Sequence, residues 1–208
     1  MISWTLVACL AFGFAVGSVP TGHLVAGRLR RGDLRRLGSR STGAANVFRV
    51  LGPAPALLTL ALDAAKGAAV AILVRELVPG REGLPEAAGL AAVLGHVFPP
   101  WLRWRGGKGV ATSAGVLAPL APAAVLLSLA SFGLGLGIWR RASAGSIAGA
   151  LSFPIWAALL GESRSVLLAG SATAAIVLFS HRENVSRLWA GEEPELRRPR
   201  RGGAEDEP

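Results

Sequence analysis

The chain has 208 residues, of which 51% are hydrophobic and only 17% charged, against roughly 25% charged in soluble domains. With a mean hydropathy of +0.47, that excludes a disordered chain and argues against an ordinary soluble enzyme. One cysteine excludes an internal disulfide framework or a cysteine zinc cluster. A net charge of +9 on so apolar a chain fits the basic cytoplasmic loops of a membrane protein better than nucleic-acid binding.

Residues 2–27 read as a first span; the run from Ile2 to Pro20 is uncharged, near the ~20 residues a bilayer needs. No basic residues precede it, which argues against a cleaved signal peptide, and Cys9 reads as an ordinary buried residue. Residues 28–52 form a polar loop with Arg28, Arg30, Arg31, Arg35, Arg36, Arg40 and Arg49 against a single Asp33. The positive-inside rule places it in the cytoplasm and the N-terminus outside.

Residues 53–74 return across the membrane, with Pro53 and Pro55 suited to a helix start. A charge-balanced outer loop, 75–86, precedes a crossing at 87–101, which puts Arg103, Arg105 and Lys108 inside. The 31 uncharged residues 109–139 are long for one crossing and short for two. Two crossings broken near Pro119 and Pro122 keep Arg140 and Arg141 inside. Crossings at 143–161 and 165–180, joined by a tight outer turn at 162–164, complete the pattern. The expectation is an all-α, polytopic integral membrane helical bundle of about seven spans, N-terminus outside and C-terminus cytoplasmic; five or six spans is the alternative. Residues 1–190 form the membrane domain, and 191–208 a disordered cytoplasmic tail.

Three polar clusters fall on the cytoplasmic side. In Gly38-Ser39-Arg40-Ser41-Thr42-Gly43-Ala44-Ala45-Asn46-Val47-Phe48-Arg49, hydroxyls alternate with glycines that can turn backbone N–H groups toward an anion, and Arg49 can clamp a phosphate. A flexible basic loop is an equal reading on spacing alone. In Gly95-His96-Val97-Phe98-Pro99 and Arg105-Gly106-Gly107-Lys108-Gly109-Val110-Ala111-Thr112, a lysine among three glycines opens a span. This is no Walker A loop, but backbone donors, a helix N-terminus and an ammonium can still bind phosphate. Trp101 and Trp104 read as interfacial aromatics. In the third cluster, a helix over His181-Arg182-Glu183-Asn184-Val185-Ser186-Arg187 would put His181, Asn184 and Arg187 on one face.

Asp63 and Lys66, three residues apart inside an apolar span, differ in kind, because intramembrane charges are usually functional; structural support for the site is the favoured reading. Lys66 and Lys108 are also the only lysines beside 20 arginines, which suggests positions where a guanidinium does not substitute. No Gly-x-Ser-x-Gly elbow is present. The three histidines and the cysteine have no ligand spacing, so no metal and no cofactor is expected.

These clusters, in this order from Gly17-Ser18-Val19-Pro20-Thr21-Gly22 to Gly191-Glu192, resemble the acyl-phosphate-dependent glycerol-3-phosphate acyltransferase family of bacterial membranes. The strongest parts are Leu62-Asp63 to Lys66-Gly67, Gly95-His96-Val97-Phe98-Pro99, Gly106-Gly107-Lys108-Gly109 and His181-Arg182-Glu183-Asn184. The resemblance implies a multi-pass cell-membrane enzyme whose active site faces the cytoplasm. It would carry out the first acylation of phospholipid synthesis, moving an acyl chain from acyl phosphate to glycerol 3-phosphate and giving lysophosphatidate and phosphate.

By the same resemblance, Ser39, Arg49, Lys108, His181 and Asn184 would be catalytic. Ser41, Thr42, Gly43, Asn46, Gly106, Gly107, Gly109 and Ser143 would bind substrate, and Asp63, Lys66 and His96 would support the site. Its partners would be acyl phosphate, glycerol 3-phosphate and membrane lipid, with no nucleic acid. Phosphate is a good leaving group, so no enzyme nucleophile is required, and a substrate phosphate oxygen can take the hydroxyl proton.

The family's first cluster usually reads Gly-Ser-Gly-Asn-x-Gly-Ala-Thr-Asn. Here Arg40, Ser41 and Ala45 replace the second Gly, the first Asn and the Thr. Ala45 removes a donor that Thr42 would have to replace, which leaves open another phosphorylated acceptor. A small organic-anion transporter and a non-catalytic membrane anchor are the readings from other classes.

Overall fold

A computed structural model describes residues 4–29 and 32–196. Among them are ten α-helices and no strand: α1 (Trp4–Gly17), α2 (Thr21–Arg28), α3 (Ala44–Leu51), α4 (Pro53–Leu77), α5 (Leu84–Val97), α6 (Val110–Leu117), α7 (Pro122–Trp139), α8 (Ala142–Leu159), α9 (Arg164–Ser180) and α10 (Arg182–Trp189). Four are long and apolar enough to cross a membrane: the α1–α2 unit, α4, α7 and α8. A fifth is the α9–α10 pair, bent by 61°. The expected crossings at 87–101 and in the first half of 109–139 are short helices of 14 and 8 residues.

The elements follow local sequence signals. Pro53, Pro85 and Pro122 each sit in the first two positions of a helix, where a missing N–H leaves nothing unpaired. The break expected in 109–139 falls at 118–121, just before Pro122. The turn expected at 162–164 is closed by Ser163, whose hydroxyl accepts from the Val166 N–H at 3.3 Å and caps α9. Cys9 is buried and free.

One expectation gains detail and one needs correction. Pro20 breaks the first span between α1 and α2, which together still make one candidate crossing over Trp4–Arg28. The Val19 carbonyl exposed there accepts from the Thr21 N–H at 3.0 Å and from Lys66 Nζ at 2.9 Å. The loop 28–52 carries α3, whose Asn46 and Val47 are buried; its eight residues were hidden by the surrounding arginines. Arg30 and Arg31 lie outside the described residues.

Small residues set the packing. α1 and α5 run parallel: a Cβ on Gly13 or Gly17 would lie 2.1 or 2.0 Å from the carbonyl oxygens of Ala88 and Ala92. α4 and α6 run antiparallel with equally close backbones, Gly67 against Thr112 and Gly115 against Ala64. α7 and α8 form an antiparallel hairpin through Gly135, Gly145 and Gly149. Lipid is as apolar as a leucine side chain, so close backbone approach and dispersion, not the hydrophobic effect, hold such helices together. Gly17→Ala is therefore expected to cost about 1–3 kcal/mol through forced separation of α1 and α5. The lipid-facing Gly133→Ala, with nothing near its Cβ, should be neutral or slightly stabilising. Thermal unfolding in detergent reads both, and equal melting temperatures would refute the packing argument.

Candidate active site

The starts of α4, α6 and α8 and the ends of α5, α7 and α9 gather at one end of the bundle, together with α3, α10 and the strap 191–196. They enclose a cavity of about 490 Å³. Its polar side is formed by Ser39, Arg49, Lys108, Ser143, His181 and Asn184. Leu57, Leu60, Phe132 and Leu136 add apolar lining.

Lys108 stands between the turn that follows α5 and the start of α6, and its ammonium donates to Asn184 Oδ1. Burial holds its pKa down at about 8. His181, at the junction of α9 and α10, has Nδ1 2.8 Å from the Val177 carbonyl. A carbonyl only accepts, so the proton sits on Nδ1 and the Nε2 lone pair is free to accept. Burial, and then the Lys108 charge, push His181 down to about 4, which keeps it neutral. Arg49 is half-buried on α3; its Nε has no partner among the described residues. Burial lowers its pKa, but a guanidinium stays charged at neutral pH. A charged donor buried without a protein acceptor is open to an acceptor from water or a ligand.

Several expected ligands have other work. Asn46 is 1% exposed. Its Nδ2 donates to the carbonyls of Leu34, Leu37 and Ser41 at 3.2, 3.0 and 2.7 Å, and its Oδ1 accepts the Ser39 N–H at 2.7 Å. These bonds tie down the 34–46 loop, and Asn46 also lines the cavity. Gly106 and Gly107 do not offer free N–H groups either. They donate to the carbonyls of Val97 and His96, each at 3.1 Å, and lie outside the cavity wall. Glycine is needed there for space: a Cβ on Gly107 would meet His96 Nε2 at 2.0 Å. Gly109 (φ +83°) does line the cavity and starts α6. Ser41 and Gly43 line it as well, with Ser41 Oγ accepting the Gly43 N–H at 3.2 Å. Thr42 is buried away from the cavity and cannot replace the donor absent at Ala45, which does face it.

Asp63, Lys66 and His96 form one buried cluster under the site. Asp63 Oδ1 is 2.8 Å from Lys66 Nζ and 3.3 Å from His96 Nδ1, and it accepts from the Thr21 hydroxyl. Lys66 Nζ is also 2.9 Å from His96 Nδ1. An ammonium only donates, so that nitrogen accepts. Asp63 and His96 reach the cavity wall, whereas Lys66 does not. The cluster thus joins the α1–α2 break, α4 and the end of α5 beneath the Lys108 loop. Among the described residues, no group of His, Cys, Asp and Glu could hold a metal ion.

A family model for glycerol-3-phosphate acyltransferase matches residues 7–191. The chain belongs to this family. It is 40% identical to a glycerol-3-phosphate acyltransferase of Parasynechococcus marenigrum, over 92% of this chain and 90% of that one. It is 42% identical to one of Hyphomonas neptunium, over 93% and 94%. Among solved structures it resembles PlsY, an integral membrane glycerol 3-phosphate acyltransferase, in the glycerol 3-phosphate form. There the TM-score is 0.85 and identity 34%, covering 91% of this chain and 94% of PlsY. Against the lysophosphatidic acid form the TM-score is 0.82 and identity 32%.

Sequence reasoning missed one member of this acyltransferase's site, Glu193. The sequence places it in a disordered tail from 191 onward, yet it is 3% exposed and accepts from Ser143 Oγ at 2.8 Å, Asn184 Nδ2 at 2.7 Å and Arg187 Nε at 2.8 Å. Burial would raise its pKa, but these hydrogen bonds outweigh that and hold it low. Arg141 Nε donates to its carbonyl at 2.8 Å, and the Leu196 N–H donates to Arg140 O at 2.9 Å, so the strap is pinned to the start of α8. Residues 197–208 of the expected tail lie outside the described residues. Glu193 could have been suspected as one of few carboxylates close in sequence to an expected basic face.

Proposed function

We propose that this enzyme transfers an acyl chain from acyl phosphate to the 1-hydroxyl of glycerol 3-phosphate, releasing lysophosphatidate and phosphate. The observation that carries the reading is one cavity lined both by half-buried cationic donors, Lys108 and Arg49, and by an apolar wall. That wall can take an acyl chain, while the cations hold phosphate, so both ends of the donor are accommodated.

The acceptor hydroxyl attacks the acyl carbonyl carbon, the bond from that carbon to the phosphate oxygen breaks, and phosphate leaves. Lys108 and Arg49 stabilise the charge that develops on the leaving group, with Ser39 and Gly109 beside it. His181 Nε2 and the Ser143 side of the cavity orient the acceptor. A His181 pKa of about 4 makes it a weak proton acceptor beside a phosphate monoester, whose second pKa is about 6. The hydroxyl proton therefore goes to a substrate phosphate oxygen, and His181 positions the hydroxyl. A His181→Ala enzyme that binds both substrates with no residual turnover would count against this.

The helix ends at the cavity share one end of the bundle with Arg28, Arg35, Arg36, Arg103 and Arg105. This supports a cytoplasmic site, an outer N-terminus and seven spans, two of them short and completed by their neighbours. Residues 1–196 then make up the membrane domain. The test is phosphate release by detergent-purified protein supplied with acyl phosphate and glycerol 3-phosphate. Release that requires the acceptor supports the reading; equal release without acceptor, or none beside an active relative, overturns it.

Ala45 faces this cavity one helical turn from Arg49, so Ala45→Thr should restore one donor. A hydrogen bond worth about 1 kcal/mol predicts a roughly fivefold lower KM for glycerol 3-phosphate. An unchanged KM would mean that position 45 does not reach the acceptor.

A further inference from the structure

Asn184 has one hydrogen-bonding side toward Lys108 and the other toward Glu193. An amide flip would set its NH2 against the ammonium and its carbonyl oxygen against the carboxylate, so both partners fix a single orientation. Ser143 and Arg187 engage the same carboxylate. The relay Lys108–Asn184–Glu193–Arg187 thus reaches from the glycine loop to the strap, and its one carboxylate lies among cations that need neutralising.

We infer that Glu193 is a positioning residue for the transfer: through Asn184 it keeps the Lys108 side chain charged and aimed into the cavity. This rests on the reading of Lys108 as the phosphate-binding cation. The charged and titratable groups facing Lys108 are Glu193 on the strap, Arg187 and Glu183 on α10, Arg49 on α3 and His181 at the end of α9. Glu193 and Glu183 favour the ammonium, and Arg187 and Arg49 oppose it. Glu183 is well exposed and only 4.0 Å from Arg187, so solvent screens it more than Glu193. Glu193 is therefore the main counter-charge that keeps Lys108 protonated near neutral pH.

The experiment is kcat/KM against pH for the full-length enzyme, which reports groups in the free enzyme. Wild type should lose activity above about pH 8 as Lys108 deprotonates. Glu193→Gln keeps the size and an acceptor for Ser143 and Asn184 but removes the charge, and should move that limb down by about one pH unit. Arg187→Gln removes the opposing charge and should move it up. Glu193→Asp, which keeps the charge on a shorter arm, should leave the limb near wild type even where kcat falls.

Damage to structure alone would lower activity without shifting the limb in opposite directions. A Glu193→Gln enzyme with an unmoved limb, or an Arg187→Gln limb that stays or falls, overturns the inference; if Glu193→Gln fails to fold, Arg187→Gln decides. Binding of inorganic phosphate across the same pH range, followed by calorimetry, gives the same comparison without turnover. Failure of the acyl-transfer reading then remains distinguishable from failure of this one.

Discussion

Lys108→Ala is expected to reduce acceptor-dependent phosphate release by about 100- to 1000-fold, the loss typical when a preorganised charge-stabilising donor is removed. The ammonium is the cation set at the start of α6, and its removal also strands Asn184 Oδ1. Stability should move little or rise, because burial already disfavours the charged lysine and the variant no longer desolvates it. This divergence separates a catalytic role from a structural one. Lys108→Arg should not restore the rate. A guanidinium is wider than an ammonium, and the turn is packed so tightly that a methyl group on Gly107 would meet His96. Initial rates in detergent beside melting temperatures of the same preparations check all of this. A large parallel loss of stability in Lys108→Ala would reassign the residue to the scaffold.

Asp63→Ala carries the largest expected stability effect. Asp63 is 1% exposed and neutralises Lys66 deep in the bundle. Removing one partner of a buried pair leaves an uncompensated charge and costs about 3–5 kcal/mol, a large share of what holds a small domain together. The Thr21 hydroxyl loses its acceptor at the same time. Asp63→Asn should be milder, because an amide oxygen can still accept from Thr21 or Lys66. The double variant Asp63→Leu/Lys66→Met should recover much of the loss by removing both charges together, although the Val19 carbonyl then loses its lysine. Size-exclusion profiles and thermal unfolding read these effects. An Asp63→Ala protein as stable as wild type would mean that the cluster does not rely on charge neutralisation.

Ala45→Thr and Gly17→Ala probe smaller terms of the same two kinds, one at the ligand and one at a backbone contact. The three polar variants address what the sequence alone left open, namely which polar groups face a ligand and which face each other.

The membrane class, the helical architecture and the break before Pro122 were legible locally. Apolar length, proline position and arginine placement act within a few residues of where they are read. The three clusters were legible too, since glycines, hydroxyls, lysine and histidine in that order carry the family resemblance, and the family match over residues 7–191 bears it out. The division of labour inside them was decided only by tertiary structure. Asn46 and Asn184 are the same residue type in comparable basic settings. One spends its amide on three backbone carbonyls of its own loop, while the other links Lys108 to Glu193 across elements far apart in sequence. Gly106 and Gly107 look like anion-binding donors in one dimension. In three they are spacers, because the end of α5 folds back to within hydrogen-bonding distance of them. Glu193 sat in a polar stretch with no local mark of burial, and only the pinning of the strap by Arg140 and Arg141 brings it into the site. Spacing along a chain fixes which residues share a helix face; hydrogen-bond saturation depends on what other elements bring to that face, and that is a property of the packed fold.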